Sequence, residues 1–409
     1  MTAALPVTAA DITVAADRIA GSVVRTPLVP ASTLSESLGI SISMKLETLQ
    51  RTASFKERGA VNKLKQLSDA ERAAGVIAMS AGNHAQGLAY HAQRLGIPAT
   101  IIMPVFTPFT KIAQTEAFGA RIILMGDSLS DSSDEAYRIA EAEGLAFVHP
   151  YDDVAIIGGQ GTVGLEMLAD DPDLDTILVP VGGGGIIAGV AVAAKTLRPD
   201  IKIIGVEVHG YASMFDRRAD RPGSYAGVTL AEGIAVKVPG ALTGAICDAL
   251  VDDVVIVDEG LIEDAVERLA TQQKLVVEGA GAAGLAALLA APNRFAGRRV
   301  GLVVCGGNID PRILSSILMR GLARGGRLAR LRVRIVDAPG QLSLLSETIG
   351  KEGGNIVEVH HRRLLFDLPV RSAFVDLIVE TRDGSHIHRI AERLNDGGHL
   401  TTVLSGPEG

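Results

Sequence analysis

Residues 176–197 read TILVPVGGGGIIAGVAVAAKTL, and the architecture turns on how this stretch is read. Positions 177–194 carry no charge, so a membrane span has to be weighed first. Pro180 and four consecutive glycines, Gly182, Gly183, Gly184 and Gly185, would break a spanning helix. The sequence fits better as a buried strand (176–181), a glycine turn and a helix (187–197). That is the repeating unit of an α/β protein with parallel strands. A glycine turn at such a junction lets backbone N–H groups wrap an anion, with the helix dipole behind them. Taken alone, Gly183-x-Gly185-x-x-Ala188 with Glu207 beyond it also satisfies a dinucleotide fingerprint, so a dehydrogenase is a rival reading.

Outward from this stretch the same alternation recurs. Strands are predicted over 75–80, 99–104, 202–208, 254–257 and 300–305, with helices over 85–95, 111–118, 261–273 and 312–320. Loops at the C-terminal ends of such strands are where small ligands bind. Near Gly325 the texture changes. Strand 331–336, helix 341–352, strands 355–362 and 371–381, helix 385–396 and strand 400–404 follow the β-α-β-β-α-β order of a ferredoxin-like unit. A Gly/Arg-rich segment, 321–330, would join the two parts. The expected division is a catalytic domain over 1–325, with a small subdomain of about 50–150 inserted in it, and a second domain over 326–409.

Composition sets limits on partners. The chain has 409 residues, 47% hydrophobic and 21% charged, with 46 glycines and a net charge of -8. That balance disfavours nucleic acid as a partner. The densest basic cluster, Arg320, Arg324, Arg327, Arg330, Arg332 and Arg334, reads as a solvated helix end and linker. Two distant cysteines make neither a disulfide framework nor a zinc site, and no metal is expected. The N-terminus has no basic-then-apolar leader pattern, so a cytoplasmic protein without a membrane segment is expected.

Four clusters carry chemistry. In Ser54-Phe55-Lys56-Glu57-Arg58-Gly59-Ala60, Ser54 is expected to cap a helix whose first turn holds Lys56. The positive end of the helix dipole would lower the amine's pKa and favour a nucleophilic lysine. In Ser80-Ala81-Gly82-Asn83-His84, directly after a strand, backbone N–H groups suit a substrate carboxylate, and the Asn83 amide suits a phenolic oxygen. Gly182–Gly185 suits a phosphate. Cys305-Gly306-Gly307-Asn308 ends another strand, where a small polar side chain can face a heterocycle nitrogen.

In this order the four clusters resemble the fold-type II pyridoxal-phosphate enzymes, and within them the threonine/serine dehydratases. The resemblance runs from about residue 26 to 324 and includes the segments GVEV (205–208), LAEGIAV (230–236) and VVEGAGA (276–282). It implies two open parallel-sheet subdomains like those of tryptophan synthase β, with pyridoxal 5'-phosphate as cofactor. Lys56 would be the catalytic, cofactor-bonding residue, with Phe55, Asn83, Gly182–Gly185 and Cys305 around the cofactor and Ser80, Ala81, Gly82, Asn83 and His84 around the substrate. The implied reaction is the conversion of L-threonine to 2-oxobutanoate and ammonia, and of L-serine to pyruvate. A neutral Cys305 beside the ring nitrogen suits elimination rather than transamination. Racemases of this family place a serine where Ala81 stands. Serine or 3-hydroxyaspartate dehydration and an inactive amino-acid sensor are the other readings. Some relatives hold a cation near the position of Glu207, but Ser213 stands where a second carboxylate would be expected.

Asp337-Ala338-Pro339-Gly340-Gln341-Leu342 and Gly354-Asn355-Ile356 resemble an ACT domain, an amino-acid-sensing module. That resemblance implies allosteric control, with Asp337, Gly340, Asn355 and Ile356 as effector contacts, isoleucine or valine as effector, and a homo-oligomer (dimer or tetramer). Whether the chain serves isoleucine biosynthesis or threonine breakdown then depends on the effector.

Overall fold

The computed structural model describes residues 5–126, 129–363, 369 and 371–405. Its strands are β1 (Leu28–Pro30), β2 (Ser41–Leu46), β3 (Val76–Met79), β4 (Ala99–Met103), β5 (Arg121–Leu124), β6 (Ala146–Phe147) and β7 (Thr176–Pro180). Then come β8 (Lys202–Val208), β9 (Asp253–Val257), β10 (Arg299–Val304), β11 (Leu328–Val336), β12 (Asn355–Arg362), β13 (Ser372–Glu380) and β14 (Thr401–Ser405). The chain divides into two compact units, Met1–Ile309 and Asp310–Gly409.

The first unit contains two open sheets. The larger runs β1-β2-β10-β7-β8-β9, and the smaller β5-β4-β3-β6. Every pairing in them is parallel except β1 with β2. β7 is buried along its whole length and β8 everywhere except Lys202, as expected for parallel strands covered on both faces. All strands of the small sheet fall between β2 and β7 in sequence, so the small layer is an insertion into the large one. Its core joins Val76, Ala78 and Ile101 to Ala60, Leu64 and Leu88 from flanking helices. The short strands β1, β2, β5 and β6 add to the sequence expectation. β5 and β6 are half-exposed and only four and two residues long, which leaves little periodicity to read.

The second unit is an antiparallel sheet, β12-β13-β11-β14, the strand order of the ferredoxin-like unit. Along β11, Ala329, Leu331, Val333 and Ile335 enter the core, while Arg330, Arg332 and Arg334 alternate to the other face. The arginine cluster is therefore only partly a linker. The helix Pro311–Arg324 carries Arg320 and Arg324, the strand begins at Leu328, and the connection shrinks to 325–327. Arg330 and Arg332 instead bind Asp376 of β13, at 2.9 and 2.7 Å, which the spacing of basic residues could not reveal.

Candidate active site

Three strand ends and one helix build the site. The turn after β7 opens into the helix Gly185–Leu197, with Gly184 at its cap in the left-handed region (φ 92°). The loop admits no side chain at Gly183: a Cβ there would stand 2.3 Å from ring carbons of Tyr151. Thr243 Oγ1 donates to Gly183 O at 2.7 Å, which braces the turn from behind. Asp152 in turn accepts the N–H groups of Ala241, Leu242 and Thr243, at 2.9, 2.9 and 3.0 Å. The free N–H groups of the helix start therefore sit on a rigid frame, as a phosphate cradle requires.

Lys56 begins the helix Lys56–Leu64. Ser54 does not cap it. Phe55 occupies the cap position with helical dihedrals and no side-chain cap bond, and the Ser54 hydroxyl lies 3.4 Å from Lys56 N. The tertiary fold has claimed this segment: Ser54 bridges to Gly306, and Phe55 N donates to Cys305 O at 3.1 Å. The amine of Lys56 donates to Pro150 O at 2.7 Å and lies 5.3 Å from the Phe55 ring centroid. Burial pulls its pKa down to about 8, while Cys305 and Glu278 oppose the shift. The low pKa expected of this lysine is present, but burial rather than the helix end is its largest cause.

Cys305 follows β10 and is buried, so its thiol stays protonated, with a pKa pushed well above the ordinary range. Beyond β3, Ser80-Ala81-Gly82 forms the turn into the helix Asn83–Leu95, with Gly82 at the cap. Ser80 Oγ accepts from Gly82 N at 3.2 Å. His84 Nε2 bonds Val148 O at 3.0 Å, and its Nδ1 is buried without a partner. Burial lowers the His84 pKa to about 3, so the ring is neutral and offers a vacant acceptor.

Asn83 donates to Glu278 Oε1 at 2.7 Å, and Asn308 Nδ2 donates to Asn83 Oδ1 at 2.8 Å. Burial raises the Glu278 carboxyl to about 7, against the Asn83 hydrogen bond. Glu278, Asn308 and Tyr151 belong to this site but were not assigned to it from sequence. The VVEGAGA segment placed a lone acid before an Ala/Gly-rich helix, and HPYDD (149–153) clustered polar groups after a strand, so both signals were there to be read.

The fit to a phosphate-bearing aldehyde cofactor rests on a half-buried amine of lowered pKa without a bound counter-charge, a glycine cradle at a helix start, a neutral thiol and a buried orphan acceptor. Glu207, by contrast, is satisfied by the N–H groups of Met214 and Phe215, at 2.8 and 2.9 Å, and Ser213 Oγ donates to Val236 O. Among the described residues no group of three His, Cys, Asp or Glu side chains is placed to hold a metal. None of the described helices is long and apolar enough to cross a membrane.

The second-unit residues are not brought together within one chain. Asn355 and Leu328 both pair with Glu380, so Asn355 and Ile356 lie level with the start of β11. Asp337 and Gly340 follow its far end. Asp337 meets Arg363 at 3.2 Å, and Asn355 donates to Glu380 at 3.2 Å.

The chain is similar to known proteins over most of its length. Residues 19–306 match the family model for pyridoxal-phosphate dependent enzymes. The chain is 43% identical to the L-threonine ammonia-lyase of Thermotoga maritima over 402 residues, covering 97% of this chain and 100% of the relative. Among solved structures it is similar to the processed form of threonine deaminase isoform 2 from Solanum lycopersicum (36% identity, TM-score 0.71, covering 75% of this chain and 85% of that one). It is similar as well to maize serine racemase (35% identity, TM-score 0.72, covering 77% and 98%).

Proposed function

Because this chain belongs to the pyridoxal-phosphate-dependent enzymes of fold type II, we propose that it is a threonine ammonia-lyase, converting L-threonine to 2-oxobutanoate and ammonia and L-serine to pyruvate. The observation that carries this reading is the half-buried Lys56 amine, lowered to about 8 and within electrostatic reach of the protonated Cys305, in a chain that spans the full length of an L-threonine ammonia-lyase. Bound pyridoxal phosphate supplies an electron sink that acidifies the Cα–H of the amino acid joined to it.

The chain's own residues do the rest. The N–H groups of Gly182–Gly185 hold the phosphate, and the turn Ser80–His84 holds the substrate carboxylate. Asn83, fixed on both sides by Glu278 and Asn308, presents its amide to the cofactor's phenolic oxygen. Lys56, whose lowered pKa leaves a fraction of it as free amine near neutral pH and most of it free above about 8, takes the Cα proton and can return one to the departing hydroxyl. Cys305, kept neutral by burial, does not protonate the ring nitrogen, which favours loss of the β-hydroxyl over amino-group transfer.

The second unit acts as a regulatory domain of the ACT type, with isoleucine or valine as effector. The separation of Asp337 and Gly340 from Asn355 and Ile356 along the sheet supports a site completed by another copy, hence a homo-oligomer. The similarity to serine racemase raises racemisation as a second reading. Ala81 argues against it, having no proton to deliver to the opposite face of Cα.

The test is keto-acid release from L-threonine and from L-serine, with Lys56→Ala as control. Release from threonine that disappears in the variant supports the proposal. Absence of release from either substrate, with cofactor bound, sinks it and directs attention to 3-hydroxyaspartate.

A further inference from the structure

The helix carrying Lys56 and the helix opened by Asn83 meet along one stripe. Asn83, Gly87 and His91 are four residues apart in turn and so share a face of the helix Asn83–Leu95. At Gly87 the two backbones touch: a Cβ there would stand 3.2 Å from Glu57 N and 3.3 Å from the carbonyl carbon of Lys56. One turn further, His91 Nε2 lies 3.1 Å from Glu57 Oε2, and the two side chains are only 1% and 0% exposed.

The other oxygen of Glu57 accepts the Thr52 N–H. Thr52 starts the turn that leads into Lys56 and that holds Ala53 in the left-handed region, φ 53°, which a residue with a Cβ rarely adopts. The Thr52 carbonyl accepts from Asn308 Nδ2 at 2.8 Å, and the same amide group donates to Asn83 Oδ1. The bonds form a closed ring, from Glu57 through Thr52, Asn308, Asn83 and the helix to His91 and back to Glu57. Lys56 sits inside its span.

We propose that Glu57 is a positioning residue for Lys56: with His91 it locks the cofactor lysine, in register, to the helix that presents Asn83. A carboxylate is required because both neighbours, the Thr52 N–H and the His91 Nε2–H, are donors. An amide would offer one of them a donor instead of an acceptor. The inference rests on the proposed role of Lys56.

Glu57→Gln keeps size and one hydrogen bond, so it tests position rather than folding. It is expected to lower kcat for L-threonine about tenfold or more, with KM within about twofold, and to shift the visible absorption band of the bound cofactor. The double variant Glu57→Leu/His91→Leu removes both members of the buried pair together, which a core tolerates better than losing one partner. It is expected to melt near the parent temperature and retain cofactor, with kcat still reduced and the band still shifted. Parental kcat and an unshifted band in both variants would show a purely structural pair and overturn the proposal, as would a change confined to KM. If the parent protein itself shows neither cofactor band nor keto-acid release, the assignment of Lys56 fails first and takes this inference with it. An active parent with unaffected variants fails this inference alone.

Discussion

Asn83 and Glu278 stand 195 positions apart in sequence, yet the Asn83 amide donates to Glu278 Oε1 at 2.7 Å, joining the turn after β3 to the start of the helix Gly279–Ala290. The contact fixes which way the Asn83 amide faces, because Oε1 accepts its N–H and Asn308 supplies the donor to its oxygen. It also places an acid whose carboxyl is raised to about 7 within electrostatic reach of the Lys56 amine.

That acid makes stability depend on pH in a set direction. The folded Glu278 pKa, about 7, lies above its ordinary value, so between about 4.5 and 7 the folded chain holds a proton that the unfolded chain has released. This contribution to stability is present below 4.5 and lost as pH rises through 7. Urea unfolding across this range should show that slope, and Glu278→Gln should flatten it. An unchanged slope would place the titration elsewhere.

Lys56, with a free-amine pKa lowered to about 8, should capture the cofactor faster as pH rises through 8. Reloading cofactor-stripped protein and following the visible band at pH 6, 7, 8 and 9 measures this (about these values suffice). A rate rising only above about 10, the range of an ordinary lysine, would mean that burial does not act on this amine.

Arg58 is wholly buried and bridges Glu47 on one side to Glu166 on the other, at 2.8 and 2.7 Å. Arg58→Met would leave both carboxylates without their main counter-charge, and should cost about 3–5 kcal/mol of stability. Denaturant melts of the purified variant would measure this. A loss of under about 1 kcal/mol, the range of an exposed pair, would show that Lys45 suffices to balance both acids.

Ala81 has no proton to give in the turn proposed to hold the substrate carboxylate. Ala81→Ser should add measurable conversion of L-serine to D-serine while keeping keto-acid release within about tenfold of the parent. Chiral chromatography of the products decides the matter. A variant that remains free of D-serine would remove Ala81 as the reason for assigning elimination over racemisation.

The local pattern of the sequence already determined much of this protein. The run 176–197 specifies strand, turn and helix because only glycine tolerates the approach of Tyr151 to Gly183 and the left-handed Gly184. The spacing of apolar residues in 331–404 specifies the ferredoxin-like order, since alternation on β11 buries every second residue. Lys56, Asn83, the glycine loop and Cys305 stood out as candidates for the same reason: each lies in a short motif at a strand end or helix start. Long-range pairing belonged to the tertiary structure alone. It gave Phe55 rather than Ser54 the cap position, because backbone bonds to 305–306 outcompete a local hydroxyl. It brought Glu278, Asn308 and His91 to the lysine and its neighbours from up to 252 positions away, counting from Lys56 to Asn308 (308 minus 56). It also lowered the Lys56 pKa chiefly by desolvating the amine, an effect that depends on what the fold packs around it and not on the residues beside it in sequence.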